Sequence, residues 1–402
     1  MRQTIAIATI IVVAAGCLGA APETVSPGEG EHWIRGPDTP RPDFDFSTAL
    51  VQDHDHEDRA LHTNAFDMEL VGFTDINSAA RPGTLPGGYF ELALAGPWAF
   101  VSNMGPERGF SIVDISDATR PTHVSDFYTD DIMETLAGGA GSYWDVSVFP
   151  DGNLAILSAQ ALASAPFGAD RASWQGGGIF LVDTEDKRAP TLESFVAVAD
   201  PDALIKVGVH NSNPFEVDGT WYVAATTANG KTFIYELVGE KPNRGLGLRS
   251  TLIGMHDTAV QVHPLLGRPI LYTSTNGVYT WDVSDPAKPV QLGFIPNGEH
   301  LASYHETNPS DVLIDGRHYT VAGGESLEGN PTTFTVLDTT DPETIEIVGT
   351  WRLPGELVGP GAFYRFSGHN FDVDHGRIII GHYHAGVWIV DITNTTNAQD
   401  PF

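Results

Sequence analysis

The chain has 402 residues, of which 52 are Asp or Glu and 21 are Lys or Arg, so its formal net charge is −31. Such a charge excludes a nucleic-acid partner, because a surface without a basic patch repels phosphates. An apolar content of 41% excludes global disorder, and the Gly and Pro residues spread along the chain favour an all-β protein with frequent turns.

The basic residues are themselves unevenly divided, with 16 Arg and 5 Lys. An acidic surface with few lysines is typical of proteins in concentrated salt, where the repulsion between carboxylates is screened. We therefore predict a halophilic source, with an ordinary acidic secreted protein as the alternative.

The N-terminus predicts export. After a short positive start, residues 5–15 form an apolar run of about 11 residues, which is too short to span a bilayer and is typical of a signal peptide over residues 1–16. The following Ala14-Ala15-Gly16-Cys17 contains the chain's single cysteine and resembles the lipobox of prokaryotic lipoproteins. This resemblance implies cleavage before Cys17 and lipid attachment to its sulfur. A plain secretory signal is the alternative.

Two further regions follow the signal peptide. Residues 17–62 are acidic and rich in Pro and Gly without apolar periodicity, which predicts a flexible tether. Residues 63–402 are predicted to fold. The protein would then lie on the outer face of the cell membrane, in contact with the membrane only through its lipid anchor.

A short phrase recurs through the folded region, and each copy is a β-rich run that ends in an acidic residue and a turn. A side-chain carboxylate at that position can accept hydrogen bonds from the N–H groups of the turn. The acidic positions are Asp114, Asp183, Asp282, Asp338 and Asp391, with Glu236 in a degenerate sixth copy.

Each copy stands among three other predicted short strands, and four strands per 40–50 residues are typical of a propeller blade. The phrase, for example Gly386-Val-Trp-Ile-Val-Asp391, resembles the LVIVD repeat, which implies a β-propeller fold and says almost nothing about activity. We predict six four-stranded blades, with seven as the alternative. Glu69–Asp75 resembles a fourth strand and is expected to complete the last blade and close the ring.

Four histidines stand just before the predicted first strands of successive blades, and each of them is followed by an acidic residue or an amide. The candidate ligands are His210, His256, His305, His369, Asp257 and Glu306. The first strand of a propeller blade is innermost, so these side chains are expected near one mouth of the channel. Imidazole and carboxylate groups suit a divalent transition metal. The alternative is that the imidazoles hydrogen-bond neighbouring blades.

The sequence contains no nucleophile elbow, phosphate-binding glycine loop or His-Glu-x-x-His motif. The predicted function is therefore a lipid-anchored binding or scaffolding module for a protein or small ligand. The alternative is a metal-dependent enzyme with a histidine-rich site.

Overall fold

In the computed structural model, the residues whose structure is described are 71–74, 76, 89–103, 109–129, 142–160, 177–198, 208–227, 230–298, 305–325, 332–352, 367–382 and 386–393. The predicted signal peptide and tether, including Cys17, lie outside them. The chain divides into two compact units, residues 1–19 with 54–249 and residues 20–53 with 250–402. Within the described residues no helix is long and apolar enough to cross a membrane.

The first unit contains two complete sheets and most of a third. In each sheet, strands that are consecutive in the chain pair antiparallel. The strands are β1 (Tyr89–Ala95), β2 (Trp98–Asn103), β3 (Gly109–Asp114), β4 (Thr122–Tyr128), β5 (Ser142–Val148), β6 (Leu154–Gln160), β7 (Gly178–Asp183), β8 (Thr191–Ala197), β9 (Ser212–Val217), β10 (Thr220–Thr227), β11 (Lys231–Val238) and the first part of β12 (Gly245–Ile253).

The second unit contains the other three sheets with the same sequential order. The strands are β13 (Met255–Val262), β14 (Pro269–Ser274), β15 (Gly277–Asp282), β16 (Val290–Pro296), β17 (Glu306–Pro309), β18 (Tyr319–Gly323), β19 (Thr333–Asp338), β20 (Glu346–Arg352), β21 (Phe371–Asp374), β22 (Arg377–His382) and β23 (Gly386–Asp391). The last sheet has three strands among the described residues, and the others have four. The prediction of an all-β, six-bladed β-propeller is confirmed.

The recurring phrase forms the third strand of its blade, and its burial explains its composition. In β3, β7 and β15, the first five residues are all buried. A strand covered on both faces reads as a continuous apolar run rather than an alternating one. The cores lie between successive sheets within each unit: Phe110 and Phe180 belong to one cluster, and Phe334 and Phe371 to another.

The acidic residue that ends the phrase caps the following turn. Oδ1 of Asp114, Asp183, Asp282, Asp338 and Asp391 accepts a hydrogen bond from the backbone N–H two residues later, at 2.8–3.1 Å. Glu236 of the degenerate copy pairs with Arg249 instead. Hydrogen bonds from the side chain and the backbone of Ser116 hold the pKa of Asp114 below its usual value. Burial acts in the opposite direction at Asp338, but hydrogen bonds from Thr340 and Arg317 still leave the pKa of that carboxyl lowered.

The segment around Gly72 occupies a position typical of a fourth strand. A Cβ at Gly72 would collide with the carbonyl of Ala118, which stands four residues after Asp114. A Cβ at Gly293, on the fourth strand β16, would collide with the carbonyl of Pro342, four residues after Asp338. The contact between Gly72 and the first blade therefore has the same pattern as the contact between a fourth strand and the next blade along the chain. Its pairing with the last blade stays a prediction.

Candidate metal centre

Three of the predicted histidines lie in the second unit at the starts of its first strands. His256 is the second residue of β13, and His305 and His369 lie one and two residues before β17 and β21. The N–H groups of His305 and His369 donate to the carbonyls of Gly323 and Gly381 at 2.8 and 2.9 Å. These bonds fix the backbone on which each ring stands.

The three imidazoles form one cluster. The ring centroids of His256 and His305 are 4.8 Å apart, and those of His305 and His369 are 4.2 Å apart. His305 stands in the middle and is nearly inaccessible, with 3% of its side chain exposed. Each ring comes from a different blade, so the cluster collects side chains from the fourth, fifth and sixth blades.

A carboxylate that the sequence analysis did not identify faces two of these rings. Glu325 follows β18, and its Oε2 and Oε1 lie 4.0 Å from Nε2 of His305 and Nε2 of His369, respectively. The candidate ligand atoms of the three residues lie within 4.8 Å of one another. Its sequence signal is a carboxylate directly after Gly323 and Gly324, at the end of a buried strand.

Asp257 lies beside His305. Its Oδ2 lies 3.3 Å from Nδ1 of His305 and accepts a hydrogen bond from Nδ2 of Asn370 at 3.2 Å. A proton on Nδ1 of His305 would face this carboxylate, which leaves the lone pair on Nε2, the atom that faces Glu325. A carboxylate behind an imidazole in this way is the usual outer support of a metal-binding histidine.

Burial keeps the outer rings neutral. It lowers the pKa of His369 to about 4, although the Glu325 carboxylate acts in the opposite direction and His256 lowers the value further. Burial also lowers the pKa of His256, again against the effect of Glu325. Neutral imidazole is the form that binds a metal ion.

Glu306, another candidate ligand, has a different role. Its Oε2 accepts the backbone N–H of Phe371 at 2.8 Å, and its Oε1 accepts Nδ2 of Asn308 at 2.7 Å. It approaches Asp257 and His305, but both of its oxygens are engaged by these donors. The bond to Phe371 joins the first strands of the fifth and sixth blades.

His210 belongs to the first unit, where its N–H donates to the carbonyl of Thr226 at 2.8 Å and its side chain is half-buried. The nearby Asp145 is buried, and its Oδ2 accepts the N–H of Ser212 at 2.8 Å. Burial raises the pKa of Asp145 to about 7, although the hydrogen bonds from Ser212 and Ser158 act in the opposite direction. Asp145 therefore joins the second and third blades as Glu306 joins the fifth and sixth.

The donor set of the second unit suits a divalent transition metal. Two imidazole nitrogens and a carboxylate are ligands of zinc and of non-haem iron, and the absence of thiolates disfavours Cu(I). Bonds of 2.0–2.1 Å at tetrahedral angles would place ligand atoms about 3.3 Å apart. The observed separations are 4.0 Å from the Glu325 oxygens to the two ring nitrogens and at most 4.8 Å among one donor atom of each residue, so the side chains would move towards a bound ion.

Comparison with known proteins shows the fold. A protein from Lactobacillus plantarum is similar at 13% identity with a TM-score of 0.50, over 74% of this chain and 78% of that one. A Bacteroides uniformis protein provisionally assigned as a 6-phosphogluconolactonase has the same identity and TM-score, over 74% and 79%. No protein-family model and no curated protein matches the sequence. The resemblance to the LVIVD repeat thus rests on the quoted motifs.

Proposed function

We propose that this chain is an exported, lipid-anchored β-propeller of the LVIVD-repeat type that binds one divalent transition metal ion in its second unit. The observation that carries the metal site is the convergence of Nε2 of His305, Nε2 of His369 and the Glu325 carboxylate at 4.0 Å. The Asp257 carboxylate beside Nδ1 of His305 supports the metal site. A histidine that only hydrogen-bonds a neighbouring blade does not require a carboxylate on each side of its ring.

The binding class is favoured over the enzyme class. A catalytic metal needs an open coordination position beside a group that transfers protons. Asp257 and Glu306, the other two carboxylates grouped with His305, already accept hydrogen bonds from Asn370, Asn308 and Phe371. A protein or small ligand, rather than nucleic acid, is the partner that a net charge of −31 favours.

Metal binding is tested on the full chain, purified in high salt without a His-tag and exposed to chelator before titration with Zn²⁺. We expect one equivalent bound, with the affinity reduced by at least about 100-fold in His305→Ala and Glu325→Gln, since even outer-shell changes cost 10–100-fold. His375→Ala is the matched control, because His375 is exposed and lies beside two carboxylates. Equal binding by all variants would contradict the assignment.

Anchoring is tested separately with Cys17→Ser. We expect this variant to appear in the culture medium while the wild-type protein stays with the membrane fraction. Retention of the variant in the membrane fraction would overturn the lipid-anchor proposal without affecting the metal site.

A further inference from the structure

His256 has a backbone conformation that no hairpin turn explains. Four non-glycine residues among those described have positive φ: Asp218, His256, Asp315 and His375, at 50°, 58°, 50° and 49°. Three of them precede a glycine of positive φ in a two-residue hairpin turn, where the type I′ geometry requires this conformation. His256 precedes Asp257 inside β13, so no turn accounts for it.

The conformation coincides with an irregularity in the strand. The pairing of β13 with β14 shifts register between Met255 and Ala259, and His256 lies within this bulge. Bulges redirect a side chain. The first strands β1 and β5 are irregular in the same way, but among the described residues only the bulge of β13 contains a residue with positive φ. Here the bulge is tied to the cluster, because the N–H of Asp257 donates to the carbonyl of His305 at 3.1 Å.

A strained residue persists only where surrounding interactions hold it, and such residues concentrate at binding sites. The left-handed region is sterically unfavourable for a histidine, yet it places the His256 ring 4.8 Å from the His305 ring. His305 and His369 reach the cluster without positive φ. The strain is therefore confined to the one imidazole that comes from the fourth blade.

We propose that His256 is the fourth protein ligand of the metal. Its ring lies against His305 but is not among the donor atoms of His305, Glu325 and His369 that lie within 4.8 Å of one another, so it would turn towards the ion to complete a closed, four-coordinate Zn²⁺ centre. This inference rests on the proposed metal site. Four protein ligands are typical of structural zinc sites, whereas catalytic sites keep one position for water. The metal would then cross-link the fourth, fifth and sixth blades in the second unit, and its binding free energy would stabilise the folded state.

The decisive variants are His256→Gly and, as the matched control, His375→Gly. Glycine adopts positive φ without strain, so without metal both variants should melt at or above the temperature of the metal-free wild type. With excess Zn²⁺, the wild type and His375→Gly should gain thermal stability together. His256→Gly should gain far less and bind Zn²⁺ at least about 100-fold more weakly.

Co²⁺ substitution provides a measurement that does not depend on stability. We expect the spectrum of four-coordinate Co²⁺ in the wild type. In His256→Gly we expect weaker bands, because more than one water molecule enters the space of the missing ring and raises the coordination number of the ion. If the wild type binds Zn²⁺ while His256→Gly retains its affinity and its Co²⁺ spectrum, the inference is wrong and the proposed metal site stands. If the wild type binds neither ion, the proposed function itself fails.

Discussion

The two units use the same position of the repeat for different chemistry. In the first unit, the buried Asp145 accepts the N–H of Ser212 on the next first strand, and in the second unit Glu306 does the same for Phe371. An imidazole precedes the carboxylate or amide in all three blades of the second unit, whereas in the first unit it does so only at His210. Hydrogen bonds from a backbone N–H to a buried carboxylate of the preceding blade are therefore part of the blade architecture in both units, whereas the histidine cluster is an additional feature.

Acidity should affect the two units in opposite directions, beginning with the larger effect at Asp145. Its folded-state pKa is raised from 3.8 to about 7 by burial, so the folded state is penalised above pH 7 and the penalty disappears as pH falls towards 3.8. Asp145→Asn removes the charge and keeps an acceptor for Ser212. At pH 8 the variant should be more stable than the wild type by a few kcal/mol, because it carries no buried charge.

This prediction is checked by denaturant unfolding of both proteins from pH 4 to pH 8. The stability difference should shrink steadily as pH falls through 7. Asp218→Asn, a change at an exposed hairpin residue, is the control and should show no such trend. A difference independent of pH would show that Asp145 is not a buried carboxyl with a raised pKa.

His318 in the second unit should give the opposite slope. It is fully buried, with Nδ1 2.9 Å from Oγ1 of Thr339 and Nε2 2.9 Å from Oε1 of Gln261, and its ring centroid lies 4.5 Å from that of His263. Burial, with a further contribution from His263, lowers its pKa from 6.5 to about 4. The stability that it contributes is complete above pH 6.5 and is lost as pH falls towards 4, by about 3 kcal/mol.

The measurement compares the wild type with His318→Gln over that range. We expect the variant to be less stable at pH 7.5, because it loses hydrogen bonds, and the difference to narrow as pH falls from 6.5 to 4. The exposed His375 has a raised pKa, with the hydrogen bond to Asp374 as its main cause, so His375→Asn should not reproduce this narrowing. A gap that stays constant below pH 6.5 would contradict the buried neutral state.

The blade pattern was predictable because it is local and repeated. A continuous apolar run that ends in Asp predicts a third strand buried on both faces and a turn after it. The number and spacing of the copies predict the number of blades. The first-strand histidines were also visible, since their register with the repeat can be read from the sequence.

The roles of the individual side chains could not be read in this way. His305-Glu306 and His256-Asp257 look alike in the sequence, yet Glu306 bonds the backbone of the next blade while Asp257 supports His305. Glu325 lies outside the repeated phrase, and the bulge at His256 depends on pairing between strands. Each of these features depends on distances between blades, which sequence spacing does not contain.

The smallest expected effect separates the two carboxylates that adjoin the histidine cluster. Glu306→Gln keeps one acceptor oxygen for the Phe371 N–H or Asn308 and loses the other, so we expect a stability loss of about 1 kcal/mol and unchanged Zn²⁺ affinity. Glu325→Gln should have the reverse profile, with weaker metal binding and little change in the metal-free protein. Thermal unfolding without metal and Zn²⁺ titration of both variants separate the two effects. If Glu306→Gln weakened Zn²⁺ binding as much as Glu325→Gln, Glu306 would be a ligand and the stitching role common to both units would no longer explain it.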